Sequence, residues 1–147
     1  MGKRSHLAVL RSLMLNSETV LWSGVVMQDF DSMVGGLKFK TRALLTENAI
    51  IWSSIRDADH PIRIEYNQMN NPRLAMRGIT GGFFFIVSDD TESEYTREFR
   101  EIQWLSVAFL GVSAAFMDAL VPLVPRLTLD GHLLRDRYRS RLPGNST

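Results

Sequence analysis

The segment Leu37–Ser53, LKFKTRALLTENAIIWS, constrains the fold more than any other stretch of the chain. Its residues predict two β-strands joined by a tight turn at Thr46-Glu47-Asn48, a combination that favours local side-chain-to-backbone hydrogen bonds. On the first strand Lys38, Lys40 and Arg42 recur at every second position. A period-2 backbone therefore points all three one way and turns Phe39, Thr41 and Ala43 the other. Such a ribbon offers cations to an anion on one face and holds a core with the other. The same pattern also suits a solvated sheet edge carrying ordinary lysines.

Around this hairpin the chain has 147 residues, 45% of them apolar and 22% charged, which suits one globular domain with a core of useful size. There is no cysteine, so a disulfide framework, thiolate chemistry and a Cys-ligated metal are excluded. The net charge of +1 hides an asymmetry. Residues 126–147 carry five arginines (Arg126, Arg135, Arg137, Arg139 and Arg141) against Asp130 and Asp136, which leaves the body slightly acidic. A basic end on a near-neutral body argues against a dedicated nucleic-acid-binding domain. The first residues show a short apolar run broken by Arg11 and no small-residue cleavage site, so a cytoplasmic protein is expected, with peripheral membrane contact as an option.

Leu7, Leu10, Leu13 and Met14 recur at helical spacing and predict a short amphipathic helix over 5–15. Thr19–Met27 reads as a strand, followed by a loop over Asp29–Gly36 that carries Asp29 and Asp31. After the hairpin, whose second strand runs Ala49–Ile55, strands are expected at Ile62–Tyr66, Leu74–Ile79, Phe83–Val87 and through Trp104. An acidic connection spans Ser88–Glu94. Val107–Val121 is expected as a helix capped by Ser106 and ended by Pro122 and Pro125. On it Gly111, Ala115 and Ala119 would form a row of small residues that lets another backbone approach closely. A further short helix is expected over Leu133–Arg141.

A short helix, about seven strands with turn signals between them and a closing helix define an α+β chain: a seven-stranded antiparallel, partly open barrel capped by a C-terminal helix. The organisation is a helical extension over 1–16, a barrel domain over 17–124 and a basic tail over 125–147. Three pieces in that order resemble the pleckstrin-homology superfold and its GRAM-like relatives. They are Val20-Leu21-Trp22-Ser23-Gly24-Val25-Val26 as first strand, Lys38 to Trp52 as second and third strands, and Phe116-Met117-Asp118-Ala119-Leu120 as the end of the closing helix. The resemblance implies a binding module, with Lys40 and Arg42 at the basic-x-Arg positions of a phosphoinositide pattern and Lys38 as an extra cation. The pattern's first basic residue is missing, since Met27-Gln28-Asp29 stands there and Asp29 and Asp31 place acids in the adjoining loop.

No enzyme constellation accompanies this. His6, His60 and His132 lack metal-ligand spacing, and Glu92, Glu94, Glu98 and Glu101 have neither a histidine nor a glycine-rich loop beside them. The expected function is therefore a non-catalytic binding or adaptor module without a cofactor. It docks on a protein partner or an anionic, phosphoinositide-bearing membrane through Lys38, Lys40 and Arg42. Partner contacts are also expected from Gly111, Ala115, Ala119, Arg135, Arg137, Arg139 and Arg141. Two alternatives stand beside it. One is a small structural subunit of a larger assembly; the other is a single-pass membrane protein spanning Leu105–Val124, whose only charge is Asp118.

Overall fold

Alternation builds the first half of the molecule. In the computed structural model, which describes residues 5–30, 37–88 and 104–144, an antiparallel meander joins Trp22–Phe30 (β1), Leu37–Leu45 (β2), Ala49–Ser54 (β3) and Ile62–Glu65 (β4). Val26, Ala43, Leu45, Ile50, Trp52 and Ile64 point inward and are buried. Thr46 closes the β2–β3 hairpin as its residue type predicts. Its Oγ1 accepts the N–H groups of Asn48 and Ala49 at 3.1 and 3.0 Å, and its own N–H donates to the Ala49 carbonyl at 2.9 Å. The predicted N-terminal helix is His6–Arg11 (α1), capped by the Ser5 side chain. It lies across the outer side of the sheet, where Leu10 packs on Leu44 and Ile51 in a small second core. That cover is why β3 is buried on both faces rather than one.

The second half returns on the first. Met69–Arg77 (β5), Thr80–Ser88 (β6) and Trp104–Val112 (β7) are antiparallel, and β7 pairs back onto β1 with Met27 opposite Leu110. The sheet therefore curls around Phe83, Phe85, Phe109 and Trp52, with Trp52 edge-on to Phe109 at 5.1 Å. Here the structure corrects the expected helix over Val107–Val121. Val107 and Phe109 reach the core at strand spacing. Gly111, at φ +65°, is the extra residue of a bulge in which Gly81 faces Val112 and Gly82 faces Leu110. The helix begins only at Ala114–Leu120 (α2), because Ser113, not Ser106, caps it by accepting the Phe116 N–H at 3.1 Å. Gly111, Ala115 and Ala119 thus form no helical row: the first is in a strand, the second is exposed and the third is half-buried against the core. The expected span over Leu105–Val124 falls with it. Among the described residues no helix is long and apolar enough to cross a membrane.

α2 seals the curl with Phe116, Met117 and Leu120, and Phe116 meets Trp22 edge-on at 4.9 Å. A Cβ at Gly81 would stand 2.7 Å from the Met117 sulfur and 2.8 Å from a Val112 methyl, so any larger residue there requires those side chains to move. Thr128–Asp130 (β8) then runs parallel to β5, with Leu74 opposite Leu129, and gives the sheet eight strands where seven were expected. The order is β4-β3-β2-β1-β7-β6-β5-β8, an α+β arrangement of one curled open sheet and a few short helices. β8 belongs to the segment 125–147 that the sequence sets apart as a tail, as does His132–Tyr138 (α3). Leu127, Leu129, Leu134 and Tyr138 from that segment are buried in the main core. Asp31, Gly35, Gly36, the acidic connection beyond Ser88 and the carboxylates Glu92, Glu94, Glu98 and Glu101 lie outside the described residues.

Candidate functional site

Thr41, Ala43 and Leu45 of β2 face the core, so Lys40 and Arg42 between them face outward. Lys40 is exposed and Arg42 half-buried. On β1 their cross-strand neighbours are Met27 and Val25, and Val25 is 41% exposed. On β3 the neighbour of Arg42 is Ser53. The patch is thus two cations beside exposed Val25 and half-buried Met27 on a regular strand pair. Lys38 occupies its place on β2 opposite Asp29, and the side chains of both lie outside the described ones.

The ion pairs among the described residues involve other cations. Arg63 meets Glu18 and Glu65, Arg73 meets Asp130, and Arg137 and Arg141 meet Asp118. Among the described residues, neither Lys40 nor Arg42 forms an ion pair with a carboxylate.

α1 adds His6 to the patch, a role the sequence did not suggest because 47 residues separate it from Ser53. The imidazole Nε2 lies 2.6 Å from Ser53 Oγ, and that hydroxyl donates to the Ala58 carbonyl at 3.1 Å. A serine has one hydrogen to give, so the imidazole is the donor and the neutral ring carries its proton on Nε2. Burial and the Arg42 charge hold the His6 pKa below its ordinary value, while the Ser53 backbone and Asp59 pull it upward.

The far end of α1 is fastened by a second arginine. Arg63 of β4 grips Glu18 with Nη1 on Oε1 at 2.7 Å and Nη2 on Oε2 at 2.8 Å, and Nη1 also donates to the Leu13 carbonyl at 3.2 Å. Glu18 accepts further bonds from the Leu15 N–H, Thr46 Oγ1 and Asn48 Nδ2 at 2.8, 3.0 and 3.0 Å. Its side chain has no exposed surface. The Arg63 bond is the largest cause of a Glu18 pKa lowered to about 2, against the opposing effect of burial. Tyr66 adds a 2.7 Å bond to the Thr46 carbonyl, and burial pushes its phenol pKa upward. This network is structural, and the sequence does not announce it: Glu18 and Arg63 are 45 residues apart.

Arg137 and Arg141 converge on Asp118 at 3.4 and 3.8 Å and flank the Tyr138 ring. The Tyr138 hydroxyl donates to Asp118 at 2.7 Å, and burial first, then that bond, raises its pKa to about 12. These contacts latch α3 to α2. Arg135 and Arg139 are exposed. Among the described residues there is no group of three or more His, Asp or Glu that could hold a metal ion.

No family model matches the sequence, and no curated protein matches it. Among solved structures, the hSac2 domain from the human phosphoinositide phosphatase Sac2 is similar over 71% of this chain and 69% of that chain, with a TM-score of 0.42 and 10% identity.

Proposed function

We propose that this chain is a non-catalytic docking module of pleckstrin-homology type, which binds an acidic segment of a protein partner on the outer face of β1–β3. The meander in which β7 returns to β1 and a helix follows supports the fold reading. The observation that carries the functional reading is the pair Lys40 and Arg42 on one outward strand face, where no described carboxylate forms an ion pair with either, unlike Arg63, Arg73, Arg137 and Arg141. Val25 and Met27 stand directly beside these cations. That mixture of apolar surface and charge favours a protein segment over a bare anion. A membrane surface is the weaker reading, because Gln28 is buried where a first basic residue would be needed. Arg135 and Arg139 offer a second basic surface on the opposite part of the chain's sequence.

The test is titration of a tetramethylrhodamine-labelled hexa-aspartate peptide against the wild type and the Lys40→Ala/Arg42→Ala variant at low salt. Binding that falls about fivefold or more in the variant supports the reading, since each exposed cation contributes up to about 1 kcal/mol. Equal binding removes it. Co-sedimentation with phosphatidylserine vesicles that exceeds peptide binding and depends on the same two residues would replace the protein partner by a membrane.

A further inference from the structure

His6 has a place beside Arg42 that the docking reading does not use. Its ring is half-buried at the start of α1 and bonded to Ser53, the cross-strand neighbour of Arg42. Because Nε2–H already serves Ser53, a further proton would go to Nδ1 and leave that bond intact. Protonation would therefore add a second positive charge beside Arg42 without unseating α1.

We propose that an acidic partner segment binds across Arg42 and His6 with uptake of one proton from solvent on the imidazole, so that docking tightens as the medium turns mildly acidic. The inference rests on the docking reading above and adds its regulation. Among the described residues, the charged groups facing His6 are Arg42 from β2 and Asp59 from the β3–β4 connection. In the free protein Arg42 disfavours the imidazolium. A carboxylate laid over Arg42 cancels that repulsion and supplies attraction of its own. The chemistry also selects the ligand. Aspartate and glutamate side chains stay ionised through the interval in which a histidine charges. A phosphate monoester loses half its second charge near pH 6, where the histidine gains its own, so its binding would gain less.

The sign follows from linkage. The imidazole pKa is higher in the complex than in the free protein, so the gain in affinity is full below the free value and is lost as pH rises through the bound value. Titrating the same hexa-aspartate peptide should give about three- to tenfold tighter binding at about pH 5.5 than at about pH 7.5. His6→Gln, which keeps an N–H donor for Ser53, should lose the tightening, so that its affinity changes by less than about twofold between the two pH values. His60→Gln should keep it. A direct readout accompanies this: the His6 ring resonance, followed by NMR through a pH titration, should move to a higher pKa when the peptide is present. It should also do so in Arg42→Gln without peptide.

Three outcomes overturn the proposal. If His6→Gln retains the pH dependence, or the His6 resonance titrates identically with and without peptide, the linkage is absent while docking stands. If the wild type binds no peptide at either pH, the docking reading fails and takes the linkage with it.

Discussion

Arg42 and Arg63 share the outer side of one sheet, two strands apart, and they differ in their described counter-charge. Arg63 is gripped by a fully buried carboxylate and holds the turn that follows α1 through the Leu13 carbonyl. Arg42 sits near the other end of α1 beside exposed Val25, with no described carboxylate to neutralise it. The lesson is that a cation's function is read from its counter-charge. A neutralised one fixes the fold, and one with no described carboxylate is, on the proposed reading, left to a partner.

The largest effect should come from breaking the neutralised side. Arg63→Ala leaves the buried Glu18 carboxylate charged and without its ion-pair partner, and should cost about 3–5 kcal/mol in a chemical-denaturation measurement. Glu18→Gln is gentler, at about 1–3 kcal/mol, since the amide still accepts some of the bonds that the carboxylate accepts now. The same pair predicts the acid limb of the stability curve. The Glu18 pKa is about 2 in the fold against an ordinary 4.5, so its contribution is complete above that ordinary value and is lost as pH falls through about 2. Glu18→Gln should flatten this limb, and an unchanged acid profile would show that other carboxylates set it.

Smaller still is the latch between α2 and α3. Tyr138→Phe removes the bond to Asp118 and leaves the ring between Arg137 and Arg141, for a loss of about 1 kcal/mol in the same measurement. A loss several times larger would mean that α3 depends on this one bond rather than on buried Leu134. Last comes the uncompensated side: Lys40→Ala/Arg42→Ala should change stability by no more than about 0.5 kcal/mol.

The same contrast runs through what the sequence could tell. Wherever one face of a strand is polar, the alternation is visible. Lys40-Thr41-Arg42-Ala43 gives both the strand and its orientation, and Thr46 gives the turn. β7 has no such contrast: inward Val107 and Phe109 alternate with Ala108 and Leu110, so both faces are apolar. A run like that cannot be distinguished from a buried helix by its period. Only the positive φ of Gly111 and the cap at Ser113 separate strand from helix, and neither is a pattern in hydrophobicity. β8 is three residues long and is held by pairing with β5, so nothing local marks it. Of the candidate site, the pair Lys40 and Arg42 was readable from spacing. The neighbours that give the pair its character, His6 and Ser53, meet only through the docking of α1.

The comparison is tested most directly by measuring denaturation midpoint and hexa-aspartate affinity side by side for Arg42→Ala and Arg63→Lys, a change mild enough to leave the protein folded. The account predicts that Arg42→Ala keeps its midpoint and loses binding, whereas Arg63→Lys lowers the midpoint and binds within about twofold of wild type. Undiminished binding in Arg42→Ala, with weakened binding in Arg63→Lys, would contradict it.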